Sequence, residues 1–325
     1  MTIQRRRFLC CAAGLAALPV VSRTTRAQTY PSRSVRVLVA TTAGGATDLA
    51  ARLIAQWLTE RLGQSFVVEN RPGGNNNIGT EAAARSPADG YTLFMANSVN
   101  TVNASLYQKL SYNFIADFAP VMHVVKSPLL LMVHPSVPAK SVPELIAYAK
   151  ANPGKLSAGS GGHGSTGHMA GAMFQMLTGT KMVHLPYRGE SLAMTDLLGG
   201  LVQVVFATTG SGLSYVKAGN VRALAVTTPT ALDWLPNVPA MAQYLPGFEA
   251  SGWSGLCVPK NTPAEIVALL NREANAALAD PKIKQRLLDL GGVPAGGTPE
   301  AFAKFIAHET ENWAKVVKFA GIKAE

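Results

Sequence analysis

Cysteine is scarce, with three residues in 325, and two of them, Cys10 and Cys11, fall in the extreme N-terminal stretch. Beyond that stretch only Cys257 remains, in the apolar run Gly255-Leu256-Cys257-Val258, so no internal disulfide can form and the thiol reads as buried and inert. Charged residues make up 15% and aromatics 7%, while nearly half of the chain is apolar; this balance excludes a disordered chain and describes a packed globular one. Long apolar runs are missing too. The uncharged stretch from Phe8 to Val21 is 14 residues, short of the ~20 that a membrane span requires.

The formal net charge of +10 is partly a local matter, because five arginines (5, 6, 7, 23 and 26) sit in the first 27 residues without an acid, leaving 24 Lys+Arg against 19 Asp+Glu elsewhere. That small excess, with no run or helix face rich in Lys and Arg, argues against a nucleic-acid partner. Arg5-Arg6-Arg7 precedes the uncharged stretch, and Thr25-Arg26-Ala27 offers a small-x-small cleavage site. Residues 1–27 therefore read as an export signal, with a mature periplasmic chain beginning near Gln28. Arg5-Arg6-Arg7-Phe8-Leu9 resembles a twin-arginine signal; an uncleaved anchor is the alternative. At 325 residues the chain exceeds the ~100–200 of an ordinary domain, so two lobes are expected.

Arg36-Val37-Leu38-Val39-Ala40 has the composition of a buried parallel strand and breaks into the turn Thr41 to Thr47. A helix follows, with Ala50, Leu53, Ile54, Trp57 and Leu58 on one stripe and Gly63 as its stop. Ser65 to Glu69 is the next strand and empties into Asn70-Arg71-Pro72-Gly73-Gly74. The same order recurs later: a strand around Leu156-Ser157-Ala158, a glycine-rich loop from Gly159 to Gly167, a helix carrying Met169, Ala172, Met173, Met176 and Leu177, a stop at Gly179, and a strand from Lys181 to Leu185 ending at Pro186-Tyr187-Arg188-Gly189. Gly44 to Arg71 is 27 positions and Gly162 to Arg188 is 26. Two lobes of like topology account for this, although βαβ units are common enough to recur without kinship. Further strands are expected at Tyr91–Met95, Val202–Phe206 and Val221–Val226, and the stretch 229–246 reads as connection. Toward the end Thr262-Pro263-Ala264-Glu265 is predicted to form a capping box, and Asp280-Pro281 and Thr298-Pro299 to start helices.

Glycine-rich turns at the carboxyl ends of parallel strands present backbone N–H groups and the positive end of a helix, which suits an anion. Both lobes carry such a turn. Gly162-His163-Gly164-Ser165-Thr166-Gly167 also fits the dinucleotide pattern G-x-G-x-x-G, which makes a nucleotide-dependent oxidoreductase the competing enzyme reading; Glu190, its candidate ribose acid, lies past the second strand rather than at its end. Neither Ser160 nor Ser165 stands in G-x-S-x-G, so serine hydrolysis is not indicated. His163, His168 and His184 lack any metal-ligand spacing, and no metal or cofactor is expected; His184 reads as a core residue, His163 as a loop donor to a ligand or a structural residue.

From about Tyr30 onward the chain resembles the Bug family of periplasmic receptors of tripartite tricarboxylate transporters. The resemblance rests on Ala43-Gly44-Gly45 with Asp48 and Ala51-Arg52, Glu69 to Gly73, Asp89 to Leu93, Asp117 to Val121, Gly159-Ser160 through His168, Pro186 to Gly189, and Trp253 to Leu256. It implies an α/β type II periplasmic-binding-protein fold whose two lobes, joined by strands that cross twice, close on a carboxylate. It further implies that Thr41, Thr42, Ala43, Gly44, Gly45 and Asp48 hold one carboxylate through backbone groups, with Asn97, Ser98 and Asn100 lining the first lobe. Ser160, Gly162, His163, Gly164, Ser165, Thr166, Tyr187, Arg188, Thr208 and Thr209 then meet the remainder. Where the family usually has Pro-Pro-Gly-Gly, this chain has Thr42-Ala43-Gly44-Gly45, a departure that bears on loop rigidity and ligand choice. The expectation is a monomeric binding protein and not an enzyme, with lobe 1 over 28–128 plus 254–325 and lobe 2 over 129–253. Its partners are a small carboxylate and membrane transporter subunits, or a sensor in the alternative reading.

Overall fold

The computed structural model describes residues 30–323, so the export signal read in residues 1–27 lies outside the described residues. Strand β1 (Val35–Val39) is buried along its length apart from the half-exposed Arg36, as a central parallel strand must be. The chain returns through α1 (Ala46–Leu62), β2 (Phe66–Asn70), α2 (Asn77–Ala84) and β3 (Thr92–Asn97). Strands β2 and β3 flank β1 in parallel. Ala50, Ala51, Ile54, Ala55 and Leu58 of α1 pack on Val37 and Val39, and Gly63 ends that helix in the left-handed conformation.

Helix α3 (Ser98–Leu106), the short α4 (Phe114–Asp117), the long strand β4 (Phe118–Val133) and α5 (Val142–Ala151) lead to a second unit. It repeats the first: β5 (Ser157–Ser160), α6 (Thr166–Thr178), β6 (Val183–Pro186), α7 (Glu190–Leu198) and β7 (Val204–Thr208), then α8 (Thr209–Lys217) and β8 (Arg222–Val226). Here β6 and β7 flank β5 in parallel, the arrangement of the first unit. The remaining elements are β9 (Ser251–Pro259), α9 (Ala264–Ala279), α10 (Pro281–Asp289), β10 (Val293–Pro294) and α11 (Pro299–Ala320).

Each half takes its fourth strand from elsewhere in the chain. Late strand β9 lies antiparallel to β3, early strand β4 lies antiparallel to β7, and the two pair with each other from Phe118↔Pro259 to Pro128↔Ser251. Past Pro128, β4 leaves β9 and pairs with β7 and β8. This double crossing is the feature expected of the two-lobe fold. Helix α11 also reaches both halves: Phe302 and Ile306 pack with Phe94 and Phe118, whereas Trp313 and Val316 pack with Phe206 and Phe248. Among the described residues no helix is long and apolar enough to cross a membrane.

Asp280 and Thr298 cap their helices through side-chain oxygens, as the sequence suggests. The capping box at Thr262 does not form. Helix α9 starts one residue later with no side-chain cap, because the Thr262 hydroxyl donates instead to the Pro259 carbonyl (2.7 Å) at the end of β9. Cys257 is fully buried, and that burial drives its thiol pKa up, which leaves it inert.

Candidate functional site

The loop between β1 and α1 leaves the sheet where β2 and β3 diverge on either side of β1, the position at which open parallel sheets bind ligands. Thr42, Ala43 and Gly44 are exposed, and no side chain caps α1, so its first N–H groups stay accessible. Asp48 braces this loop from beneath. Its carboxylate, 1% exposed, accepts from the Gly44 N–H (2.8 Å), Arg52 (2.9 Å) and Asn70 (2.9 Å). Burial pushes its pKa up, but the bonds from Arg52, Gly44 and Asn70 outweigh that and hold it below the ordinary carboxylate value. With both oxygens engaged, Asp48 shapes the loop rather than offering a charge to a ligand. Asn70 ties the same loop through the Thr41 carbonyl (3.1 Å), while the Thr41 hydroxyl is buried without a partner among the described residues.

Asn97 and Asn100 are likewise taken up by the fold. The Asn97 side chain caps α3 by accepting from the Val99 N–H (3.0 Å), and Asn100 returns the bond to the Asn97 N–H (2.9 Å). Ser98 differs: its hydroxyl lies 2.9 Å from that of Thr166, the first residue of α6 in the second half. Thr47, in the first turn of α1, accepts a bond from Ser254 of β9 (3.1 Å), and Ser254 sits opposite Asn97 in the sheet. The first turns of α1, α3 and α6 are therefore gathered around the crossing strands.

The β5–α6 loop is held by short polar contacts. Ser160 Oγ contacts His184 Nε2 (2.7 Å) and the backbone of Gly162, the Gly164 N–H donates to His168 Nδ1 (3.1 Å), and Ser165 caps α6. Gly164 has φ +72°, and a Cβ there would stand 2.8 Å from Leu106 of α3, so only glycine lets the loop approach the first half. His168 and His184 stack with ring centroids 3.7 Å apart, and His163 stands edge-on to both at 5.5 and 5.4 Å. Burial, then the neighbouring imidazoles, lowers the pKa of His168 to about 3; burial, then His163, lowers that of His184 to about 4, so both are neutral at pH 7.

A pocket of about 530 Å³ opens between the halves. Asn75, Val99, Leu106 and Tyr107 supply its first wall, and Gly162, His163, Ser165, Tyr187 and Arg188 the second. Arg188 is exposed and has no ion pair or hydrogen bond with the described residues. Tyr187 is anchored by donating to Asp196 (2.6 Å), and its pKa rises to about 12 through burial and then that carboxylate. Thr208 and Thr209 do not join this wall: Thr208 donates through N–H and hydroxyl to Glu190 (3.1 and 2.7 Å), and Thr209 donates to the Gly291 carbonyl (2.6 Å). Glu190 thus opens α7 and secures β7, a position unsuited to a ribose acid at the end of β6.

Sequence reasoning placed the stretch from Asn97 to Asn100 along the first lobe, which holds Val99, but missed Asn75, Leu106 and Tyr107 in that wall. Asn75 follows a run of turn formers that reads as connection, and Val99 and Leu106 belong to a helix hidden in a polar stretch, with Tyr107 just past its end. It also passed over His168 and His184 as partners of His163, since they lie 5 and 21 residues from it along the chain and only the β5–α6–β6 fold joins them.

The model of the tripartite tricarboxylate transporter family receptor matches residues 50–322. Protein BugT of Bordetella pertussis is 38% identical over 314 residues, covering 96% of this chain and 94% of BugT. Among solved structures, R. palustris Rpa4515 with adipate superposes with a TM-score of 0.80 at 37% identity, covering 90% of this chain and 99% of that one. The periplasmic binding protein BugD gives 0.77 at 33% identity over 91% and 100% of the two chains. MatC from Rhodopseudomonas palustris with bound malate gives 0.77 at 29% identity over 89% and 100%. With the repeated βαβ units, the crossed strands and a pocket between the halves, these matches show that the chain belongs to the tripartite tricarboxylate transporter receptor family, as a solute-binding receptor rather than an enzyme.

Proposed function

We propose that this receptor captures a small dicarboxylate between its halves and hands it to the membrane subunits of a tripartite transporter. The observation that carries the reading is the pocket walled by both halves, with the Arg188 guanidinium, unpaired among the described residues, on one side. A carboxylate paired with arginine gains charge-assisted hydrogen bonds of ~1.5–3 kcal/mol. Backbone N–H groups of the loops Thr41–Gly45 and Gly161–Gly164, together with the uncapped start of α1, supply further donors without buried cations. The buried Thr41 hydroxyl gains a partner if a second carboxylate or its hydration water reaches the β1–α1 loop. Two R. palustris relatives with bound adipate and malate support a dicarboxylate over other acids.

Closure follows from sharing: a ligand that touches both walls favours the state in which they approach. We place the lobes at 28–128 plus 254–325 and 129–253, with α11 bridging them, and take the working form as a monomer in the periplasm after removal of residues 1–27. Native mass spectrometry of freshly purified protein, followed by thermal-shift assays with malate, adipate, a tricarboxylate and an aromatic acid, tests the proposal. A co-purified dicarboxylate, or a shift with dicarboxylates alone, is expected. Absence of a shift with every acid, alongside tight NADH binding, overturns it.

A further inference from the structure

His163, His168 and His184 present one ring nitrogen each within 4.8 Å of one another. We propose that these three imidazoles form a binding site for a divalent transition-metal ion on the second-half wall of the pocket. The donor set suits zinc, nickel, copper or cobalt, because neutral imidazole is a borderline ligand that these ions favour over magnesium or calcium. Metal–nitrogen bonds of ~2.0–2.1 Å in a tetrahedral site put ligand nitrogens about 3.4 Å apart, so modest side-chain rotations close the cluster. Three protein ligands also leave one position for water or another oxygen donor, the arrangement of an open site.

The rotation required can be located. His168 and His184 stack within 3° of parallel, and one ion cannot lie in both ring planes. His168 is buried and held by Gly164, whereas His184 is half-buried on the strand β6 and held through Ser160 Oγ. His184 is therefore the ring that turns. His163, already edge-on to both at 84° and 82°, completes the set. Gly164 donates to Nδ1 of His168, so the neutral ring carries its proton on Nε2. An ion at Nδ1 takes the lone pair that the Gly164 N–H points at, and an ion at Nε2 requires the ring proton to move to Nδ1, which then cannot accept from Gly164, so occupancy must register at the Gly164 amide.

Titration of the mature protein with Co²⁺ in a buffer without carboxylates tests this. We expect one Co²⁺ per chain with the visible absorption of a four- or five-coordinate ion, and a shift of the Gly164 amide resonance. His163→Ala and His184→Ala should each weaken binding by roughly tenfold or more. Thermal melting of each variant without metal confirms that it folds, and His163→Asn, which keeps a polar loop residue, should lose Co²⁺ to the same degree. Binding that survives His163→Ala unchanged, an unmoved Gly164 amide at saturation, or no absorption at millimolar Co²⁺ overturns the proposal. The titration contains no organic acid, so its failure leaves the dicarboxylate reading standing, and failure of that reading leaves the metal site standing.

Discussion

The hydroxyls of Ser98 and Thr166, 68 residues apart in sequence, lie 2.9 Å from each other across the two halves. Each belongs to the first turn of a helix that follows the carboxyl end of a parallel strand. A bond in this place counts only when the halves are together, so it weights the closed state without altering either half. Thr166→Val keeps the shape and removes the bond. Losing a net ~1 kcal/mol from the closed state should weaken ligand binding about fivefold, with the melting temperature of the ligand-free protein nearly unchanged. Calorimetric titration with the ligand identified by native mass spectrometry checks this, and Ser98→Ala combined with Thr166→Val should weaken binding no further than either alone.

Arg188 gives a sharper outcome. It is exposed and unpaired among the described residues, so Arg188→Gln should leave folding stability within about 0.5 kcal/mol of the parent. If its guanidinium meets a ligand carboxylate, the same change should weaken dicarboxylate binding roughly ten- to hundredfold. Arg188→Lys should recover only part of the loss, since a lysine cannot present two parallel donors. Isothermal titration of the three proteins reads out the series.

The first βαβ unit was plain in the sequence because β1 leads into the apolar run Val37-Leu38-Val39-Ala40 and α1 carries a single stripe, both local patterns. Helix α3 escaped for the opposite reason. Its buried face includes Asn100, Thr101 and Asn103, which hydrogen-bond inward, Asn100 to Thr80 (2.8 Å) and Asn103 to Asn75 and Asn77 (2.7 and 2.9 Å). A search for apolar periodicity takes such a stretch for a loop. The pairing of β4 with β9, and the meeting of His168 with His184, are tertiary and have no local signature. The glycine-rich loops were legible as turns at the carboxyl ends of parallel strands, but not the bracing within and around them: Asp48, Asn97 and Thr208 each hydrogen-bond within the fold, and only those partners reveal it.

Two glycines four residues apart on α6 should respond in opposite ways to the same change. A Cβ on Gly167 would lie 2.3 Å from the Phe206 carbonyl oxygen, a backbone atom that cannot move aside, so Gly167→Ala must push α6 off β7. A loss of about 2 kcal/mol or more is expected. At Gly171 the nearest atoms, on the Phe206 ring, are 3.8 Å away, an ordinary contact. Gly171→Ala should therefore be neutral or stabilising by up to ~1 kcal/mol through helix propensity. Urea midpoints with unchanged slopes measure both.

Glu309 makes stability depend on pH near neutrality. It lies on α11 where that helix passes from one half to the other, 8% exposed, with Trp313 Nε1 donating to its carboxylate (2.9 Å). Burial raises its pKa to about 7 against the Trp313 bond, which lowers it. Below about pH 4.5 the folded and unfolded chains both hold the proton, and the stability of the neutral form is fully present. As pH rises, the unfolded chain releases the proton first, so the folded state loses stability until pH passes about 7, where the loss levels off at up to ~3 kcal/mol. Glu309→Gln keeps an acceptor for Trp313 and carries no proton to release. The variant should match the parent near pH 4.5 and exceed it in melting temperature at pH 8, and chemical denaturation across this range would give parallel curves if the carboxyl played no such part.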